Sequence, residues 1–195
     1  SVMEQLELFP SDNKVEPQEG GFDISKISIK YKGGDINSKE GNRLIKKLTM
    51  IDADTFFIYP EGHPKLACMP YVKNIKKNEV LSIGPNRNQY PAVNPGGVTI
   101  AIHKLVSLCF HKNLKPGSQI IVDHINEGNE EIIYKIYESF NWNPLDISAG
   151  WQYLDWRPVN LRWSSESENR KNPQRKKESK LDLTRLFFIT NFKSI

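Results

Sequence analysis

Two cysteines, Cys68 and Cys109, are too few for a disulfide framework, and neither belongs to a CxxC pair. A reduced interior thiol is the expected state for such residues. No stretch approaches the roughly 18 apolar residues of a membrane span. No basic-then-apolar leader stands ahead of Gly20. A cytoplasmic protein with no membrane partner is therefore expected. Internal repeats are lacking too, which excludes a solenoid. A large net charge is also missing: the balance is +4, too small for a uniformly basic surface.

What charge there is lies unevenly. Residues 1–150 carry 17 Lys/Arg against 18 Asp/Glu, and residues 151–195 carry 10 against 5. All the excess sits in the last quarter, where Arg170, Lys171, Arg175, Lys176, Lys177 and Lys180 crowd one short stretch. Cations at this density suit a polyphosphate partner, because each neutralised phosphate releases counterions. Taken alone, the run reads equally well as a solvated tail.

Residues 1–21 are acidic, Pro/Gly-punctuated and aperiodic, and read as a loosely ordered arm. Residues 22–88 form a β-rich accessory region. Lys26–Tyr31 alternates, Thr55–Tyr59 is aromatic and β-branched, and Val80–Ile83 follows a charged stretch. Arg43–Met50 has helical spacing. Gln89–Val93 and Val98–Ile102 flank Asn94-Pro95-Gly96-Gly97, a hairpin turn. His103–Phe110 is helical, with Leu105, Val106, Cys109 and Phe110 on one face, and Gln119–Val122 is a short apolar strand. Glu130–Phe140 is the clearest helix, carrying the stripe Ile132, Ile133, Ile136, Tyr137 and Phe140. Asn160–Trp163 reads as a strand. Ser165-x-x-Glu168 is a capping box that opens a basic helix, ended or kinked by Pro173. The tail over 181–195 holds an apolar run, Leu186–Ile189, with no assignable structure.

A strand ending at Val122 presents Asp123 and His124 at its tip, with side chains on roughly opposite sides. Asn169, in the early turns of the basic helix, can face that tip. A carboxylate and an amide oxygen are hard donors that suit Mg²⁺. An imidazole beside them, outside the coordination shell, suits removal of a proton from water.

The run IAIHKLVSLCF (Ile100–Phe110), then VDHIN (Val122–Asn126), then DWRPVNLRWSSESENRKN (Asp155–Asn172), resembles the HNH, or ββα-metal, endonucleases of phage and intron-homing type. The likeness covers roughly residues 89–172 and rests on the combination, since DHIN alone is weak. It implies Asp123 and Asn169 as ligands of a single Mg²⁺ or Mn²⁺ ion and His124 as general base. It also implies Asn160 as the residue that orders the loop carrying the histidine. The implied fold is α+β: a ββα-metal core over 89–180, the β-rich region before it, and a helical insertion near 128–152 between the active-site strands. The implied activity is hydrolysis of double-stranded DNA to 5′-phosphate and 3′-hydroxyl ends. Two alternatives share the fold: a restriction-type enzyme reading a short site, and a catalytically silent nucleic-acid-binding or structural subunit. With one active site, double-strand cleavage requires a homodimer or sequential nicking.

The chain departs from the family pattern in one respect. Asp123 and Asn160 stand 37 positions apart, whereas compact members hold the two much closer. A surface insertion of that size is tolerable because loop-closure cost grows only logarithmically.

Plainer readings stand beside these. Asp123-His124 is equally a turn pair at a strand end, and Asn169 a solvent-facing helix residue. Arg157 and Arg162 flank the site and could grip phosphates or form surface salt bridges. His103 reads as a packing or capping residue, and Trp163 as core. Tyr90, Trp142, Trp151, Tyr153 and Trp156 could stack on bases, but aromatics in such number more often complete a core. His63, Cys68, Cys109 and His111 would make four zinc ligands on paper. Zinc-holding relatives use CxxC pairs, so structural zinc is not expected.

The basic stretch generates a first test. Replacing Arg175, Lys176 and Lys177 with Gln should weaken binding equally on all DNA sequences and flatten its salt dependence, read by fluorescence anisotropy over a salt series. A loss confined to some sequences would contradict a backbone grip.

Overall fold

The computed structural model describes residues 21–27, 39–52, 55–85, 90–111, 121–125, 130–143, 154–164 and 185. The acidic arm, the basic stretch and the C-terminal apolar run lie outside these residues, as do Asn169, Trp151 and Tyr153.

The chain enters through β1 (Phe22–Asp23), which pairs antiparallel with β2 (Phe56–Tyr59). β2 pairs with β3 (Tyr71–Asn74), and β3 with β4 (Glu79–Val80), giving a four-stranded sheet in sequence order. β2, β3 and β4 follow one another through short connections, whereas the chain from β1 to β2 passes through a long excursion that includes a helix. The expected strand over Val80–Ile83 stops at Val80, although the Leu81 amide still donates to the Val72 carbonyl at 2.8 Å.

The alternation of Lys26–Tyr31 does not begin as a strand. A 3₁₀ turn occupies Ile24–Lys26, where the Asp23 carboxylate accepts from both the amide (2.9 Å) and the hydroxyl (2.8 Å) of Ser25. Ile24 and Ile27, three apart, are both fully buried, and that spacing suits a turn of helix better than a strand. Residues 28–31 lie outside the described residues. Helix α1 (Lys39–Thr49) begins four residues before the expected stretch and ends one residue short of it, anchoring Leu44 and Leu48 in the core.

A second sheet joins β5 (Gly84–Pro85), β6 (Pro91–Val93) and β7 (Ile100–Ala101), all antiparallel. The turn between β6 and β7 is the expected Asn-Pro-Gly-Gly. Pro95 opens a 3₁₀ turn, while Gly96 and Gly97 adopt φ of 64° and 87°, values that L side chains rarely take.

Helix α2 (Ile102–Phe110) follows without a break. The sequence suggested a single apolar face. Instead Ile102, His103, Leu105, Val106, Ser107, Leu108 and Cys109 are all buried, because α2 packs against β2, β6, β7 and the later hairpin together. That hairpin is β8 (Ile121–His124) with β9 (Leu161–Ser164), antiparallel, and between them in sequence stands α3 (Glu130–Phe140). α3 has the expected bounds, and its apolar stripe faces inward.

One hydrophobic cluster runs through all of this, from Ile24 and Leu48 through Val72 and Leu105 to Ile133 and Trp156. It crosses the boundary near residue 88 drawn from sequence. Trp142 and Trp156 belong to it, with rings 6.0 Å apart and Phe140 between 5.3 and 5.6 Å from each. These two indoles are core and not base-stacking platforms. Trp156 is fully buried, and its Nε1 donates to the Pro70 carbonyl at 3.0 Å, tying the segment before β9 to the loop before β3. Trp156→Ala should therefore cost about 3–5 kcal/mol of stability, measured by urea unfolding; a loss near zero would show that the contact contributes nothing.

Candidate functional site

The β8–β9 register places Val122 opposite Trp163, Asp123 opposite Arg162 and His124 opposite Leu161. Strand alternation sends Val122, His124, Leu161 and Trp163 to one face and Asp123 with Arg162 to the other. Asp123 and His124 thus lie within the strand, not beyond its tip as the sequence suggested, and their side chains diverge as expected.

Asp123 is 1% exposed, and a carboxylate at that depth needs a positive or hydrogen-bonding partner. Arg162 supplies one from directly across the ladder. Its Nε donates to Oδ2 at 2.9 Å, and its Nη2 lies 2.8 Å from the same oxygen in an ion pair. The Arg162 side chain is itself half exposed. Arg157 makes a different arrangement: Nε donates to Oδ1 of Asp155 at 2.9 Å and Nη2 to Oδ2 at 2.8 Å, a two-pronged fork on a buried carboxylate. That fork raises the Arg157 pKa further above its ordinary value. Both arginines singled out for phosphate contact thus hold carboxylates.

His124 is buried on the α2 side. Its ring stacks nearly parallel to Tyr90 at 5.7 Å and lies 5.1 Å from the ring of His103, which in turn meets Tyr90 at 4.3 Å. Burial pushes the His124 pKa down to about 3, so the imidazole is neutral near pH 7. Burial, then the neighbouring His124 and Lys104, pushes His103 well below its ordinary value too. The His103 Nδ1 and, one turn on, the Ser107 hydroxyl are buried without a hydrogen-bond partner among the described residues. His103 does not cap α2; Ala101 occupies the cap position. Its packing role was legible, whereas its contact with His124 was not, since no local spacing reports a meeting across α2 and β8.

Asn160 closes a 3₁₀ turn, Pro158–Asn160, that leads into β9. Its Nδ2 donates to the Asp155 carbonyl at 3.1 Å, and its own carbonyl accepts from the Ile125 amide at 2.8 Å. One residue therefore braces the turn before β9 and the chain just past His124. His111 supports the same turn, with Nε2 2.8 Å from the Pro158 carbonyl. Beside it, Ile125 is 37% and Val159 75% exposed, an apolar pair at the strand end that sequence reading did not single out.

Asp123 supplies a hard oxygen donor of the type a divalent cation takes, and the guanidinium already on it shows that the position favours positive charge. The second expected ligand, Asn169, lies outside the described residues, as do Arg170, Lys171, Arg175, Lys176 and Lys177. No three His, Cys, Asp or Glu residues gather into a metal-holding group among the described residues, and His63, Cys68, Cys109 and His111 are not brought together as one. Neither cysteine is in a disulfide; Cys68 is exposed and Cys109 buried. No helix among the described residues is long and apolar enough to cross a membrane. Comparison with family models, curated proteins and solved structures gave no match for the chain.

The histidines make stability depend on pH with a definite sign. A folded-state pKa held below the unfolded 6.5 means that the unfolded chain binds more protons between the two values. The stabilisation is complete above 6.5 and is lost as pH falls toward about 3 for His124 and about 4 for His63. His124→Gln should thus lose less stability than the unaltered chain between pH 7 and 4.5, measured by urea unfolding at both. An equal loss would contradict a buried, neutral imidazole.

Proposed function

We propose that the chain is a divalent-metal-dependent endonuclease of the HNH type acting on double-stranded DNA. The observation that carries this reading is the β8–β9 register, which sets a buried acid, a neutral imidazole and a bracing amide on one short hairpin. The resemblance in VDHIN and NLRW falls on these same residues.

In this reading Asp123, with Asn169, would hold one Mg²⁺ or Mn²⁺ ion. Such an ion, when bound, offsets negative charge developing at a non-bridging oxygen and at the leaving 3′ oxygen. His124 would accept a proton from the attacking water, its imidazole being neutral near pH 7. Asn160 fixes the backbone on either side of the imidazole through its bonds to Asp155 and Ile125. The basic stretch from Arg170 to Lys180 supplies phosphate contacts along the duplex. Cleavage leaves 5′-phosphate and 3′-hydroxyl ends.

A second reading has its own support. His124 is only 2% exposed and packs between Tyr90 and His103 like a core residue. A catalytically silent DNA-binding subunit would place it so.

Plasmid nicking separates the two. The nuclease reading expects relaxation of supercoiled plasmid that depends on Mg²⁺ or Mn²⁺. His124→Ala should slow it by about 10²–10⁴-fold, the scale of a lost general base, with DNA affinity nearly unchanged. Full activity in His124→Ala would remove the imidazole from catalysis. No nicking by the unaltered chain with any divalent metal would favour the silent subunit.

A further inference from the structure

We propose that Arg162 is an exchangeable counterion: it neutralises Asp123 while the site is without a divalent cation, and turns to a DNA phosphate when the cation takes the carboxylate. The inference rests on the reading of Asp123 as a metal ligand and adds to it a coupling between metal and DNA.

Three observations support the exchange. First, Arg162 and Asp123 are directly opposed across the ladder, so the guanidinium reaches the carboxylate from a fixed neighbouring position. Second, Nε donates to Oδ2 at 2.9 Å and Nη2 lies 2.8 Å from that same oxygen, whereas Arg157 spreads its fork over the two oxygens of Asp155. A guanidinium held on one oxygen lacks the matched planar geometry that makes an arginine–carboxylate fork rigid. Third, the exposures are opposite: Asp123 is buried, while half of the Arg162 side chain meets solvent, compared with a quarter of Arg157. The acid is fixed and the base has a path outward.

The electrostatics then set the coupling. A guanidinium and a divalent cation on one carboxylate repel each other, so each weakens the other's hold. A phosphate beside the hairpin offers Arg162 a second anion of the geometry it prefers. DNA therefore draws Arg162 off Asp123 and strengthens cation binding there. By linkage, the cation strengthens DNA binding by the same factor. Arg162 delays loading of the metal until the duplex is present.

Mn²⁺ binding to the full chain, followed by titration calorimetry, tests this without reference to cleavage. Without DNA, Arg162→Gln should bind Mn²⁺ roughly tenfold tighter than the unaltered chain, the scale of one nearby unit charge at a partly solvated site. Arg162→Lys, which keeps the charge, should stay near the unaltered affinity. A mixed-sequence duplex at low salt, added in a His124→Ala background to prevent cutting, should tighten Mn²⁺ binding. It should do so much less once Arg162 is also Gln. In thermal unfolding without metal, Arg162→Gln should melt below the unaltered chain, because it takes a guanidinium away from a buried carboxylate, and Mn²⁺ should close that gap. Equal or weaker Mn²⁺ binding by Arg162→Gln overturns the exchange, provided Asp123→Ala abolishes binding. So does tightening in Arg162→Lys as large as in Arg162→Gln. If Asp123→Ala leaves Mn²⁺ binding intact, the metal-ligand reading fails, and the exchange fails with it.

Discussion

The pairing of β8 with β9 is the constraint on which the site depends. Side chains alternate along a strand, so a slip of one residue would turn Asp123 toward α2 and His124 away from it. Such a slip would turn the carboxylate toward the core side of the strand pair, away from Arg162, and would move the imidazole to the face that now holds the ion pair. The hydrophobic side of the hairpin prevents it. Leu161 is buried, and Val122 and Trp163 pack against the central cluster, so only one register satisfies both faces. The polar side adds the Asp123–Arg162 ion pair to the same register.

The hairpin is held in turn by α2, which touches both of its strands and the two sheets that precede it. Burial of nearly every α2 side chain follows from that central place. It also explains why polar groups such as His103 and Ser107 end up inside. A helix packed on several sides has no wet face on which to put them. The cost of burying them is reflected in the low histidine pKa values, where burial is the largest cause.

Much of the local structure was legible because it depends on local pattern. The five-residue apolar stripe of Glu130–Phe140 specified its helix and both bounds, and Asn-Pro-Gly-Gly specified the turn between β6 and β7. Lys26 and Ile27, the described start of the alternating run, are not strand because the Asp23 carboxylate captured Ser25 and began a 3₁₀ turn, a side-chain bond that apolar periodicity does not register. Within the candidate site, sequence reading named Asp123, His124 and Asn160 together; the structure puts the first two side by side on β8 and bonds Asn160 to Asp155 and Ile125. The partners of Arg157 and Arg162 were not. Asp123 and Arg162 are 39 positions apart, and only the strand register makes them neighbours. The cluster of Tyr90, His103 and His124 escaped sequence reading for the same reason: three distant segments contribute one ring each.

The hydrogen bond from Trp156 to Pro70 gives the long stretch between the two hairpin strands a status that sequence length alone does not suggest. Residues just before β9 reach back to the loop that introduces β3, and α3 shares the cluster that lines the first sheet. The described parts of the segment joining the strands, α3 and the residues from Leu154 to Trp156, are therefore built into the interior, not hung on the outside. A fragment excised at residue 88, or a chain with the α3 stretch trimmed to a short loop, would cut through shared interior surface. Evolution of such a chain by swapping ready-made modules would have to carry the N-terminal sheet and the α3 stretch together.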